Sequence, residues 1–420
     1  MKGLRYFIAA TGLANLADGI ATVTWIWVAT LLTRDAGLIA LVPVALRLPW
    51  VICALPAGLL ADRHDRRRII VAMDALRAAG FALAALALWR ALPLPPAPAA
   101  GVSSVPLFAA LCLAALTVGV AEVFRDNAAQ SFLPAIVAPA DLERANARLW
   151  TVENIGNALI GPALGASLLG LALPLPFGVN ALAYLLAGAL VARIATRRGP
   201  AAARALRNWR RELAEGWAYL RGSPLLRMLA VTTGFWNMFD SMVMFALVLL
   251  AQEKLGLPAQ SYGLVLAAAA LGGIASGLVG ERVVRAMGTV PLMRVACLSG
   301  APCFALLTVA PGAMTLGLAL GMAWFWGTTW NIVSVSTRQR LVPDALRGRV
   351  NSLYRLLAWG MMPVGALLAG QVIRWGEGPL GRIGALEAPI WLAAAGTLAL
   401  TIRVWQPLGR LLPGAAPAPN

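Results

Sequence analysis

Long apolar runs recur along the whole chain, and the charge is packed into the short gaps between them. A run of about 20 apolar residues matches the thickness of a bilayer core when wound as a helix. Inside lipid every backbone N–H and C=O must find a partner within the protein, so continuous apolar runs of that length are helices. Only 13% of the residues are charged and 60% are hydrophobic, with a mean hydropathy of +0.75. Soluble domains carry roughly 25% charged residues. The chain therefore reads as an all-α integral membrane protein.

Twelve candidate helices follow from the runs. Numbered 1 to 12, they cover 7–31, 38–60, 69–91, 107–131, 147–171, 174–195, 226–250, 261–283, 289–310, 313–335, 349–373 and 386–405. The Pro-rich stretch 91–106 cannot be helical and reads as an external loop. The longest polar interval lies near the middle. It divides the chain into a six-helix bundle over 1–195, an amphipathic cytoplasmic linker over 196–225, a second six-helix bundle over 226–405 and a tail over 406–420. The first apolar run is too long for a signal-peptide core and lacks a clear cleavage site.

The net charge of +17 would point to nucleic acid in a soluble protein. Here the cations fall in alternate gaps. With both termini inside, the outer loops hold only Arg34, Arg90, Lys254, Arg374 and Arg382, and Arg47, Arg77, Arg125 and Arg355 fall within helices. All other Lys and Arg are then cytoplasmic, as the positive-inside rule expects. Nucleic acid is not an expected partner. The bilayer is. Abundant Ala and Arg with few Lys point to a GC-rich bacterium, hence to its cytoplasmic membrane. The four cysteines sit inside apolar segments, and His64 is the one histidine, so no metal site is expected. No phosphate-binding G-x-x-x-x-G-K-[ST] loop is present, no other cofactor is expected, and the chain is read as a monomer.

The two halves echo each other. NLADG (15–19) is matched by NMFDS (237–241), GLLADR (58–63) by GLVGER (277–282), and LPAIVAPADLERANARL (133–149) by VPDALRGRVNSLY (342–354). Three matches in the same order argue for two six-helix repeats. Such repeats place a substrate site between the bundles near the bilayer midplane.

Gly58, Leu60, Ala61, Asp62, Arg63, Arg66 and Arg67 stand in the pattern G-x-L-A-D-R-x-G-R-R, with Asp65 replacing the second glycine. Gly161, Pro162 and Gly165 stand in the pattern G-P-x-x-G. On these residues the chain resembles the major facilitator superfamily. Its segments NAAQSFLPAIV and RGRVNSLYRLL are similar to the bacterial secretion and efflux branch, which includes siderophore and macrolide exporters. The resemblance implies the major facilitator fold, two six-helix bundles related by a pseudo-two-fold axis, with helices 1, 4, 7 and 10 around a central cavity. It implies a cytoplasmic latch of Gly58, Asp62, Arg63, Arg66 and Asp126. Asp62 would face the start of helix 11 near Arg347–Asn351, and Arg66 would reach Asp126. The alternative is that these arginines only enforce topology. The glycine–proline pattern of helix 5, Gly161, Pro162 and Gly165, resembles that of antiporters, where a tight seam limits ion leak. A plain packing role fits the same residues.

Asp18 and Asp240 lie mid-helix at matching places in the repeats, each with Asn three residues before it, Asn15 and Asn237. A carboxylate at the bilayer centre costs about 2.5–3.5 kcal/mol on insertion scales. These four residues, with Glu122, Arg125 and Glu153, are candidates for proton coupling or substrate contact. The alternatives are a lasting Asp18–Arg47 pair, a hydrogen bond from Asn15, an internal ion network on helix 4, and a local Asp74–Arg77 pair on helix 3. Trp25 lies seven residues beyond Asp18 and shares its face. With Trp236, Trp326, Trp330 and Asn331 it is a candidate lining for a planar or amphipathic molecule; lipid-facing tryptophan is the competing reading. The basic segment 204–226 is amphipathic and is expected along the inner membrane surface.

Secondary export of a small organic molecule in exchange for protons fits these features best. Uptake or facilitated diffusion is the nearest alternative. A membrane enzyme or a non-transporting receptor is more distant, since neither a nucleophile constellation nor an appended domain is visible.

Overall fold

The computed structural model describes residues 2–138, 141–195 and 209–412. Helices dominate, and there is no strand among the described residues. Helix 1 is Lys2–Leu32. Helix 2 comes in pieces, Leu41–Ile52 and Ala54–Arg63, with Pro49 just before the break. Helices 3 and 4 are Arg66–Ala91 and Val105–Ile136. Helix 5 runs as Leu142–Asn154, a π-helical turn Ile155–Ile160, and Gly161–Leu171. Helix 6 is Leu175–Ala192.

A linker helix, Trp209–Gly222, leads into helix 7, Pro224–Glu253. Helices 8, 9 and 10 are Ala259–Met287, Thr289–Thr308 and Ala313–Leu341. Helix 11 begins at Asp344–Trp359 and continues into the run Met361–Leu411, which also contains helix 12. The two are parted at Gly381, whose φ of 67° is a left-handed conformation that glycine adopts without strain. The twelve expected helices are thus present. Helices 1, 3 to 9 and the joined run of 11 and 12 contain windows long and apolar enough to cross a membrane. Their outer faces carry bare apolar side chains, such as Leu113 at 59% and Leu278 at 77% exposure, which only a lipid surround would tolerate in such number.

The chain divides into two compact units, Met1–Arg204 with Gly256–Ala267, and Ala205–Leu255 with Ala268–Asn420. Within each, glycines let helix backbones touch. Gly119 of helix 4 lies on the Leu46 carbonyl of helix 2, and Gly272 of helix 8 lies on Gly321 of helix 10. Without a hydrophobic drive between helices in lipid, such close backbone packing is a main source of cohesion.

The Pro-rich stretch is non-helical, as expected, and folds back on helix 1. The Ser103 amide donates to the Leu32 carbonyl at 2.8 Å and the Arg34 amide to Pro98 at 2.9 Å. The linker helix packs on the start of helix 11. Leu220 is buried, Gly216 packs against Arg349 and Leu353 of helix 11, and Glu215 pairs with Arg349. Tyr219 caps the arrangement by donating to the Leu341 carbonyl at 2.7 Å. Leu206 and the side chains of Trp209 and Leu213 lie outside the described residues; Trp217 is exposed.

Candidate functional site

In the first unit, the ionisable residues form a chain of ion pairs that crosses between helices. Arg77 of helix 3 is fully buried and donates to the Asp18 carboxylate of helix 1. The same oxygen accepts from the Tyr184 hydroxyl of helix 6 at 2.6 Å, and the Arg77 guanidinium lies over the Tyr184 ring at 4.1 Å. One turn toward the start of helix 3, Asp74 faces Arg125 of helix 4 at 3.4 Å, and Arg125 also reaches Asp126 at 3.3 Å. Arg47 of helix 2 reaches Glu122 of helix 4 at 3.3 Å. Glu153 of helix 5 carries an exposed side chain within electrostatic reach of Asp126 and Arg125.

Several sequence expectations change here. Asp74 and Arg77 are not a local pair; each takes a partner on another helix. Arg47 serves Glu122 rather than Asp18. Asn15 turns to its own helix and donates to the Thr11 carbonyl at 2.9 Å, so it does not bond Asp18. The changes at Asp74, Arg77 and Arg47 have the same cause. A charge in a low-dielectric interior needs an opposite charge at close range, and the close neighbours come from packed helices rather than from sequence. Tyr184 was not foreseen. Nothing in the sequence around helix 6 marks it.

Trp25 also needs correction as a pocket residue. It is 2% exposed and packs on Phe81 at 5.3 Å and edge-on on Phe177 at 4.9 Å. Trp25 does share the face of Asp18, but that face looks into helices 3 and 6 of its own bundle.

The loop patch is placed in part. Asp65 caps helix 3 by accepting from the Arg67 amide at 2.9 Å, which explains an acid where the family pattern has glycine. Arg66 donates to the Ser131 and Ala61 carbonyls at 2.9 and 3.3 Å, not to Asp126, whose carboxylate is held by Arg125. Gly58 has open space around it and Arg63 is exposed. The side chains of Asp62 and Arg347 lie outside the described residues. Polar atoms of Asp74, Arg77, Arg125 and Asn180 are buried without a hydrogen-bond partner among the described residues.

The glycines of helix 5 form a seam with helix 1. A Cβ on Gly161 would meet the Gly19 backbone at 2.5 Å, and one on Gly165 would meet the Ile20 carbonyl at 2.5 Å. Gly156 lies against Leu16 in the same seam, and Pro162 is buried beside it. Helices 7 and 11 repeat the motif, with Gly234 against Leu357 and Gly365 against Met238.

In the second unit, helices 7 and 10 meet in antiparallel steps. Trp330 donates to the Thr233 hydroxyl at 3.1 Å, and Tyr354 of helix 11 joins Thr233 at 2.7 Å and Ser334 at 2.9 Å. Trp236 lies between Gly300 and Gly327 and packs on Phe304 at 6.0 Å. Asp240 is half-buried on helix 7 and lies within electrostatic reach of Trp324 of helix 10, a residue that the sequence does not mark. Asn237 donates to the Ala358 carbonyl at 2.9 Å. Trp326 sits edge-on to Phe325 at 5.2 Å, and Asn331 is exposed. Trp330, 6% exposed, thus belongs to a closed polar network rather than to an open wall.

Residues 2–406 match the family model described as a transmembrane secretion effector. The multidrug efflux pump Tap of Mycobacterium tuberculosis, like that of Mycobacterium bovis, is 30% identical over 158 residues. That stretch covers 37% of this chain and 35% of Tap, so the match spans about a third of the relative. Among solved structures, a variant of the nucleoside transporter NupG superposes with a TM-score of 0.75 at 15% identity, covering 97% of this chain and all of that one. A bacterial homologue of the lysosomal transporter Spinster gives 0.72 at 14% identity, covering 99% and 98%. These likenesses show the major facilitator fold. The chain is a multi-pass membrane transporter and belongs to the transmembrane secretion effector family of the major facilitator superfamily.

Proposed function

We propose that the protein exports a small amphipathic organic molecule across the cytoplasmic membrane of a bacterium, in exchange for protons. The observation that carries this reading is Asp18, a mid-helix carboxylate whose charge holds both Arg77 and Tyr184. Protonation of Asp18 removes the charge that holds those two groups, so a proton changes how helices 1, 3 and 6 are tied together. A ligand or proton shifts a conformational equilibrium only by binding two states unequally, and a charge-dependent tie supplies that inequality. The buried pairs Asp18–Arg77 and Asp74–Arg125, with polar atoms that find no hydrogen bond among the described residues, support a polar path toward Glu122, Asp126 and Glu153.

The efflux direction is supported by the family description and by the partial match to Tap. In this reading both termini are cytoplasmic, from the distribution of Lys and Arg. The turn carrying Gly58, Asp62, Arg63 and Arg66 takes part in switching on the inner side. The seam of Gly161, Pro162 and Gly165 keeps ions from leaking past helices 1 and 5. The chain works as a monomer.

The test is transport in proteoliposomes with an imposed pH gradient and a panel of chemically diverse solutes. Proton movement against solute movement is the expected result. Solute flux indifferent to the gradient would replace exchange with facilitated diffusion.

A further inference from the structure

At the linker-side end of the second unit, the ends of helices 8, 9 and 10 enclose a cleft of about 230 Å³. Leu225, Val333 and Leu412 form its buried apolar floor. Its polar side has one character. Ser336, Thr337 and Arg340 come from the end of helix 10, and Thr289 opens helix 9. Ser336 and Thr337 lie four and three residues before Arg340, so one helical face delivers all three. None of these four side chains takes a hydrogen-bond partner among the described residues. Arg338, on another face of helix 10, is by contrast engaged with Asn351 at 2.8 Å and with the Tyr354 ring at 3.8 Å. Helix 9 starts after Gly288 with no side-chain cap, so its first amides add positive potential at Thr289.

A guanidinium, three hydroxyls and an uncapped helix start together suit an oxyanion. The rim carries one carboxylate, Glu281, and Arg285 already offsets it at 3.3 Å. Arg282 is exposed beside it, so the local charge is positive. The surround supplies apolar surface. Leu271 and Leu278 of helix 8 are exposed and lie seven residues apart on one face, and Glu281 follows Leu278 by three. A bare apolar stripe thus runs from the cleft toward membrane depth.

The geometry points to a binding site for one anionic phospholipid of the leaflet on the linker side. Its phosphate sits on Arg340, Ser336, Thr337 and Thr289, and an acyl chain runs along Leu278 and Leu271. Basic pockets between membrane helices hold acidic headgroups by the same attraction. A headgroup bound there ties the end of helix 10 to the start of helix 9. The site lies within the second unit alone and is independent of the cargo, direction and coupling of transport.

The probes are dioleoyl phosphatidylglycerol and dioleoyl phosphatidylcholine, which share their chains and differ in net charge. Each is offered to the delipidated full chain in detergent micelles, and bound lipid is counted by native mass spectrometry. The wild-type protein is expected to hold one phosphatidylglycerol at least fivefold more tightly than phosphatidylcholine. Arg340→Gln is expected to lose at least fivefold in phosphatidylglycerol affinity, and Ser336→Ala combined with Thr337→Val to lose several-fold. Arg282→Gln removes the same charge at the same end but outside the cleft, and is expected to change affinity less than twofold. Equal retention of the two lipids by the wild type, unchanged affinity in a folded Arg340→Gln variant, or equal losses in Arg340→Gln and Arg282→Gln overturns the proposal. Displacement of the lipid by an equal concentration of glycerol 3-phosphate also overturns it, in favour of a soluble phosphate ester. If Arg340→Gln does not fold, the wild-type comparison of the two lipids decides.

Discussion

The guanidinium of Arg77 on helix 3 and the carboxylate of Asp18 on helix 1 form a buried ion pair, with Arg77 fully removed from solvent. Removing one partner of such a pair leaves the other uncompensated, at a cost of about 3–5 kcal/mol. Arg77→Ala should therefore lower the thermal unfolding temperature markedly. Adding Asp18→Asn to Arg77→Ala should recover a large part of the loss, because no buried charge then stands alone. A double variant no more stable than Arg77→Ala would show that the pair does not govern stability.

Asp18→Asn alone should lower the unfolding temperature, because it strands the buried Arg77, yet keep its helix content at the assay temperature and abolish gradient-driven export, since an amide carries no charge for a proton to remove. Circular dichroism reports the fold, and flux in proteoliposomes reports the coupling. Wild-type flux in this variant would remove Asp18 from the proton step.

The seam between helices 1 and 5 should tolerate no side chain. Gly165→Val places methyl groups where the Ile20 carbonyl already sits, and overpacking of this kind costs about 1–3 kcal/mol. Gly178→Val, at a helix 6 position with open space around it, should be close to neutral. Thermal unfolding of the two variants side by side checks the contrast.

The cap on helix 3 gives a graded series. Asp65→Ala removes the acceptor for the Arg67 amide and should weaken the first turn by about 1 kcal/mol, while Asp65→Gly, which restores the family residue, should cost only a few tenths. Amide hydrogen exchange over residues 66–70 resolves the difference.

The linker helix should depend on shape more than on charge. Glu215 is partly exposed, so Glu215→Ala should change little, as exposed ion pairs contribute about 0–1 kcal/mol. Gly216→Val should detach the helix from helix 11, because its side chain would press on Arg349 and Leu353. Hydrogen exchange across 209–222 reads both outcomes.

What the sequence disclosed follows from which interactions are local. Helix positions were legible because lipid demands long apolar runs, and Asp18 was legible because an acid within such a run is rare. Its partners were not. Arg77 lies 59 residues away and Tyr184 lies 166 away, and helical spacing says nothing about which helices will touch. Trp25 shows the limit most clearly. The seven-residue step placed it on the face of Asp18, but only packing reveals that this face looks into Phe81 and Phe177. Trp324 was missed for a related reason. It lies two residues from Trp326 and so points elsewhere on helix 10, and its link to Asp240 exists only in the folded bundle.

Helix 5 holds one wide turn, Ile155–Ile160, just before its glycine–proline step. A wide turn takes five residues to return to the same side, and Gly156 and Gly161 are five apart. Downstream, Gly161 and Gly165 resume the ordinary four. The extra residue thus sets the azimuth of everything that follows it. Closing this turn to ordinary helical spacing with every residue kept would swing Gly161, Pro162 and Gly165 by about 100° and turn bulkier neighbours toward helix 1. The angular bookkeeping of the whole second half of helix 5 is written in six residues.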